Sequence, residues 1–222
     1  MRLEQLKDYI PEKLHKILAK DIDELRPSQE KSVRAGLLEY KNLLVCTPTA
    51  SGKTLIAELA MVKNCLEGKG TAIYIVPLKA LAAEKANHFK QRYGHLLKVA
   101  QSSGDRDSDD AYLMDYDIIV CVAEKLDSLL RHHAPWINSV YTIVADEIHL
   151  LNDPSRGPTL EIVLTLLRHI LKNYQLIALS ATIGNPEELA SWLDAELVED
   201  DWRPVELKEG IYLNGEVEFY EK

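Results

Sequence analysis

The chain has 222 residues, 46% hydrophobic and 27% charged, with a net charge of −9, which fits one large or two small soluble globular domains. No apolar run approaches the roughly 20 residues a membrane helix needs, and the opening MRLEQLKDYI mixes charges into its apolar positions as a signal-peptide core does not, so a cytoplasmic protein without a membrane partner is expected. The acidic balance argues against bulk attraction to nucleic acid and leaves room for a local basic groove, while three scattered cysteines, Cys46, Cys65 and Cys121, show no CxxC spacing, two of them lie inside apolar runs as small hydrophobes, and neither metal nor disulfide use is expected.

In chain order, residues 1–40 read as helices leading in. The first apolar run is NLLVCT (42–47), followed by a helical stretch over 53–66. TAIYIV (71–76) precedes a helix over 78–92, and KVAQSS (98–103) precedes the polar GDRDSDDAYLMDYD, a surface loop with a short helix at most. DIIVCV (117–122) leads to a helix over 124–132, VYTIVA (140–145) to one over 159–171, and QLIALS (175–180) to one over 186–193. The runs are nearly continuous in apolarity rather than alternating, the mark of parallel strands buried on both faces. Strand and helix in regular alternation predict an α/β fold: a doubly wound, mostly parallel sheet with helices on both faces. From Arg203 onward RPVELKEG and VEFYEK are strand-like with no helix after them, either an edge strand or the start of a further unit. The expected organisation is therefore a lead-in over 1–40, a sheet domain over 41–202 and a tail over 203–222.

Four polar clusters fall where apolar runs end. LVCTPTASGKTL places Gly52, Lys53 and Thr54 between a buried strand and a helix start, where free backbone N–H groups and the positive helix end converge on an anion. Lys53 is the only side-chain cation within this loop, and Thr47 at its head is tolerable if the turn needs no positive φ there. The plain alternative is a helix N-cap with an exposed lysine. In IVADEIHLL two carboxylates, Asp146 and Glu147, follow a buried strand and call for a positive partner, for which magnesium is the natural choice; the alternative is a surface turn. VPLKAL (76–81) and LSAT (179–182) repeat the placement, and ligands of open α/β sheets gather at the carboxyl ends of the strands.

TPTASGKTLIAELA, VPLKALAAEK, DEIHLLNDPSRGPTLE and SATIGNPEELASWL, in this order, resemble motifs I, Ia, II and III of superfamily 2 helicases, specifically the superkiller-type (Ski-like) branch with its DEIH or DEVH box. ELRPSQ resembles that branch's Q motif, and within the branch the likeness is to its archaeal DNA helicase. The resemblance covers residues 24–204 and implies the first RecA-like, ATP-binding lobe of a motor that steps along a single strand of nucleic acid, DNA favoured over RNA. It implies that Gln29 reads the adenine, that Thr49, Ala50, Ser51, Gly52, Lys53 and Thr54 hold ATP, and that Thr54 and Asp146 hold Mg2+. Glu147 would act as general base beside Asp146 and Lys53, while His149, Ser180 and Thr182 would couple nucleotide state to the strand. Pro77, Leu78 and Lys79, with Glu124 and Lys125, would face the nucleic-acid backbone through helix ends and main-chain amides. Arg156 and Glu161 read as a pair at a helix N-terminus. Motifs IV to VI have no counterpart, so a second RecA-like domain of the same parent chain is the implied partner, with 203–222 as linker, and the chain alone is expected to be weakly active or inactive. Departures from the pattern are Thr47, where Ala or Gly is more usual, and Val122, where a threonine hydroxyl would touch the backbone. The competing reading is an ATP-responsive nucleic-acid-binding or scaffold module without turnover. A transporter ATPase would need an LSGGQ-like signature, and a small-molecule kinase leaves the SAT and PLKAL stretches without a task.

Overall fold

The computed structural model describes residues 1–102, 111–205, 208, 210–213 and 215–220. The six apolar runs form β1 (Leu43–Cys46), β2 (Thr71–Val76), β3 (Val99–Ser102), β4 (Ile118–Val122), β5 (Val140–Ala145) and β6 (Gln175–Ser180). A seventh strand, β7 (Glu196–Glu199), completes the sheet, whose order is β3-β4-β2-β5-β6-β1-β7 with every neighbouring pair parallel. The helices are α1 (Glu12–Leu18), α2 (Pro27–Arg34), α3 (Lys53–Leu66), α4 (Lys79–Tyr93), α5 (Ala123–Arg131), α6 (Gly157–Ile170) and α7 (Pro186–Leu193).

Side chains alternate across the sheet, so each strand feeds two cores. Leu43 and Val45 of β1 join Ile56 and Leu59 of α3 and Phe89 of α4 on one face. Leu44 and Cys46 join Leu126 of α5, Leu164 of α6 and Leu193 of α7 on the other. This is the doubly wound arrangement the run pattern predicts. The lead-in belongs to the first core as well, since Leu6, Leu14, Leu18 and Leu37 pack into it. A buried polar network fastens it from below: Gln175 Nε2 donates to the carbonyls of Leu37 and Lys41, and Asn64 Nδ2 donates to Thr142 Oγ1 and Gln175 Oε1. These partners explain how a glutamine and a threonine sit inside strands that are otherwise apolar.

Of the two readings of the tail, the edge strand is set aside. The edge strand beside β1 is β7, not the tail: Leu43 pairs with Glu196 and Cys46 with Glu199. The short, charged ELVE carries no alternation strong enough to announce a strand, and its pairing is decided by the exposed edge of β1. The tail instead forms a separate antiparallel hairpin, β8 (Gly210–Leu213) with β9 (Glu216–Phe219). Of the polar stretch after β3, residues 103–110 lie outside the described residues, and Ala111–Asp115 form the short 3-10 turn expected. Among the described residues no helix is long and apolar enough to cross a membrane.

Candidate functional site

Because all strands of the sheet are parallel, their carboxyl ends share one rim, and the four polar clusters meet there. The loop from β1 to α3 is the most constrained. Thr47 is fully buried and has no positive φ, so the departure at this position costs the turn nothing; its hydroxyl shares a 2.8 Å hydrogen bond with Ser51 Oγ. The left-handed residues are Ala50 (φ 63°) and Gly52 (φ 94°). Arg26 braces the former, donating from NH1 to the Ala50 carbonyl at 2.8 Å.

Gly52 is required for two reasons. Its φ disfavours any L side chain, and a Cβ there would lie 2.5 Å from Gln29 Nε2. Gln29 is itself buried; its Nε2 donates to the Gly52 carbonyl at 3.0 Å, and its Oε1 accepts the Arg26 backbone N–H at 2.8 Å. The expected adenine reader thus also clamps the loop. Thr49 and Ala50 are exposed at the loop's tip.

Lys53 opens α3, largely buried, and its Nζ donates to the carbonyls of Thr47 at 2.8 Å and Pro48 at 3.1 Å. Burial holds this ammonium below the ordinary lysine range, against the opposing pull of Glu147 and Asp146. Two of its three donors are used, both on carbonyls of the loop that an anion would enter.

Lys53 is not the only cation at this site. Lys85 of α4 donates from Nζ to Thr54 Oγ1 at 2.8 Å and lies 3.6 Å from Asp146 Oδ2. That same Oδ2 accepts the Tyr74 hydroxyl at 2.7 Å, and Asp146 Oδ1 accepts the Glu147 backbone N–H at 3.1 Å. Burial, then the nearby Asp146 charge, pushes the Tyr74 hydroxyl far above the usual tyrosine range, so it stays a donor to the carboxylate. The requirement that a buried carboxylate meet something positive is satisfied for Asp146 within the protein by Lys85.

Glu147 is held left-handed, at φ 54° and ψ 44°, a strained conformation for a residue with a side chain that lifts it off the line of β5. Its Oε2 is 3.3 Å from His149 Nδ1, and that nitrogen is 3.4 Å from the backbone N–H of Ala181. Ser180 is fully buried and its carbonyl accepts the Thr47 N–H at 3.2 Å, whereas Thr182 is exposed. Contact between the SAT segment and the other clusters therefore runs through main-chain groups of Ser180 and Ala181.

On the remaining arc of the rim, Leu78 is 43% exposed at the N-cap of α4, with Pro77 half-buried before it and Lys79 exposed after it. Glu124 is exposed in the first turn of α5, but Lys125 is only 8% exposed; the structure moves its side chain from the surface to the interior, and Val122 before it is buried too. Pro77, Glu124, Asp146, Glu147 and Arg156 together line a cavity of about 20 Å³. Arg156 is the N-cap of α6, its backbone N–H donating to Asp153 Oδ1 at 3.0 Å, with its side chain at this cavity rather than paired with Glu161.

Sequence reasoning missed Arg26, Tyr74 and Lys85. The signals were weak but present: an arginine inside ELRPSQ, a phenol interrupting an apolar strand, and a second lysine six residues past Lys79. Between α3, α4 and the segment before α2 runs a groove of about 800 Å³ that Arg26, Gln29, Gly52, Thr54 and Lys85 line.

The chain is 56% identical over 205 residues to the ATP-dependent DNA helicase Hel308 of Methanocaldococcus jannaschii, covering 89% of this chain and 17% of that protein. It is 54% identical over 209 residues to Hel308 of Pyrococcus abyssi, covering 93% of this chain and 28% of that protein. The chain thus spans less than a third of the length of these relatives. Among solved structures it is similar to the Mycobacterium smegmatis helicase Lhr bound to single-stranded DNA and AMP-PNP, with a TM-score of 0.74 and 27% identity over 89% of this chain and 28% of that one. The DUF1998 helicase MrfA bound to DNA gives a TM-score of 0.74 at 25% identity, covering 87% of this chain and 30% of that one. The family model for DEAD/DEAH box helicases matches residues 26–189, a span that holds the Gln29 clamp, the loop from β1 to α3, the paired acids and the SAT segment, and the chain belongs to that family.

Proposed function

We propose that this chain is the ATP-binding motor lobe of an ATP-dependent DNA helicase, coupling hydrolysis to movement along a single strand. One observation carries the reading: an unbroken series of contacts runs from Thr54 through Lys85, Asp146, Glu147 and His149 to the Ala181 amide, joining segments far apart in the sequence. A scaffold has no need to string a phosphate loop, two acids and a third strand end on one line.

In this reading the base lies in the groove beside Gln29, and Ser51, Gly52, Lys53 and Thr54 meet the phosphates through loop amides and the lysine. Lys53 exchanges the carbonyls of Thr47 and Pro48 for phosphate oxygens, a charge-assisted and therefore stronger pairing. Thr54 and Asp146 offer hard oxygen donors converging on one cation position, the donor set that suits Mg2+. When bound, that ion would neutralise charge developing on the transferred phosphoryl group. Glu147, lifted by its left-handed backbone and oriented by His149, takes the proton of the attacking water. His149 Nδ1 can donate to that carboxylate or accept the Ala181 N–H but not both, so its choice of partner carries the presence of the carboxylate to the backbone of 180–182.

The relatives are named DNA helicases, which favours DNA as the strand. With a net charge of −9 the chain holds it through main-chain amides at the N-termini of α4 and α5, beside Pro77, Leu78, Lys79 and Glu124, more than through side-chain cations. Lys125 supports α5 from inside. A second RecA-like lobe of the parent protein, reached through residues 203–222, supplies the arginine finger, a contribution worth about 10³ to 10⁵ in rate. Lys53→Ala tests the assignment: calorimetry with ATP and Mg2+ should show binding lost, and equal affinity of variant and parent would overturn it.

A further inference from the structure

The two side chains that offer oxygen to a divalent ion are already bridged by one ammonium. Lys85 Nζ donates to Thr54 Oγ1 at 2.8 Å and stands 3.6 Å from Asp146 Oδ2. The bridge is sheltered, with the Lys85 side chain 18% exposed and that of Asp146 12%. It is also aimed: Lys85 Nζ lies 5.5 Å from the centre of the Tyr74 ring, whose hydroxyl binds the same Oδ2. The lysine comes from α4, an element that carries neither the phosphate loop nor the acids.

We infer that Lys85 is a placeholder cation, its ammonium taking the position between hydroxyl and carboxylate that the divalent ion takes in the working site. The identity of that ion rests on the nucleotide-motor reading above. A single and a double positive charge cannot share one hydroxyl and one carboxylate oxygen at contact distance, so metal entry displaces Lys85 from its hydrogen bond to Thr54 and its ion pair with Asp146. Its flexible stem lets the ammonium withdraw into the groove it lines with Glu84. Two consequences follow physically. Asp146 never faces the interior uncompensated, because a cation is beside it with or without metal. Bare metal, which would gain two protein oxygens and must evict a lysine, is disfavoured, whereas metal arriving on nucleotide phosphates brings further ligands with it. Lys85 therefore makes metal entry conditional on nucleotide.

The test measures Mn2+ alone, without nucleotide, by the paramagnetic resonance signal of the free ion. Lys85→Met and Lys85→Gln should bind Mn2+ roughly tenfold or more tighter than the parent, the scale of one charge-assisted hydrogen bond removed from the competitor. Adding Asp146→Asn to either variant should abolish the gain. Unchanged or weaker Mn2+ affinity in the folded variants, or a gain that survives Asp146→Asn, overturns the proposal. So does loss of folding in both variants that Mn2+ fails to restore, because a placeholder's absence is what the ion should repair. A parent that binds no ADP with any metal would instead sink the nucleotide reading, and the comparison of Mn2+ affinities would stand apart from it.

Discussion

The Gly52–Gln29 contact makes a prediction whose size can be worked from geometry. Gly52→Ala places a Cβ 2.5 Å from Gln29 Nε2 and 3.2 Å from Arg26 Cδ, at a residue with φ +94°. The left-handed backbone costs an alanine about 1–2 kcal/mol. The clash expels the glutamine amide from its bonds to the Gly52 carbonyl and the Arg26 N–H, and stranding those partly buried groups costs about 1–3 kcal/mol more. The total expected loss is about 2–5 kcal/mol of folding stability, read by urea unfolding followed by circular dichroism. Gln29→Ala alone should lose about 1–3 kcal/mol through the same two bonds. In the double variant the 2.5 Å clash is gone and only the 3.2 Å approach to the flexible Arg26 side chain remains, so Gly52→Ala should cost little beyond its backbone contribution, and the cycle should show coupling of about 1 kcal/mol or more. Strict additivity, or a Gly52→Ala variant within about 0.5 kcal/mol of the parent, would refute the claim that Gln29 clamps this loop.

Two further outcomes are expected. Glu147→Gln in the full-length parent protein should keep ATP affinity and lose roughly 10² to 10⁴ in turnover, since a general base acts in the transition state; weakened binding with intact single-turnover hydrolysis would make Glu147 structural. Burial pushes the thiols of Cys46 up to about 11 and of Cys65 and Cys121 up to about 12, so all three stay protonated up to that range while folded. A thiol reagent at pH 8 should therefore label none of them in the native chain and all three in urea; rapid native labelling of any would contradict the packing around it.

Strand β2, β5 and β6 and helices α3 and α7 occupy the residues the sequence indicates, and the reason is that a strand buried on both faces must be apolar at every position. The same rule makes the rim legible, because a polar cluster at the end of such a run can lie only at the sheet's edge. The loop after β1 and the paired acids after β5 could be located on the rim in this way. What the sequence could not settle depends on groups distant along the chain. β7 is a strand because β1 leaves an edge beside it, and nothing in ELVE says so. Lys125 is a surface lysine by type and a buried one by position, decided by the packing of α5. Lys85, Tyr74 and Arg26 enter the site from three different elements, and only the crossing of α3 and α4 over the sheet brings an ammonium to both Thr54 and Asp146. Local pattern determines which residues end strands; the order of the strands determines which of those ends face one another, since that order is set by the burial of whole helices across the sheet, a long-range energy that no short stretch of sequence contains.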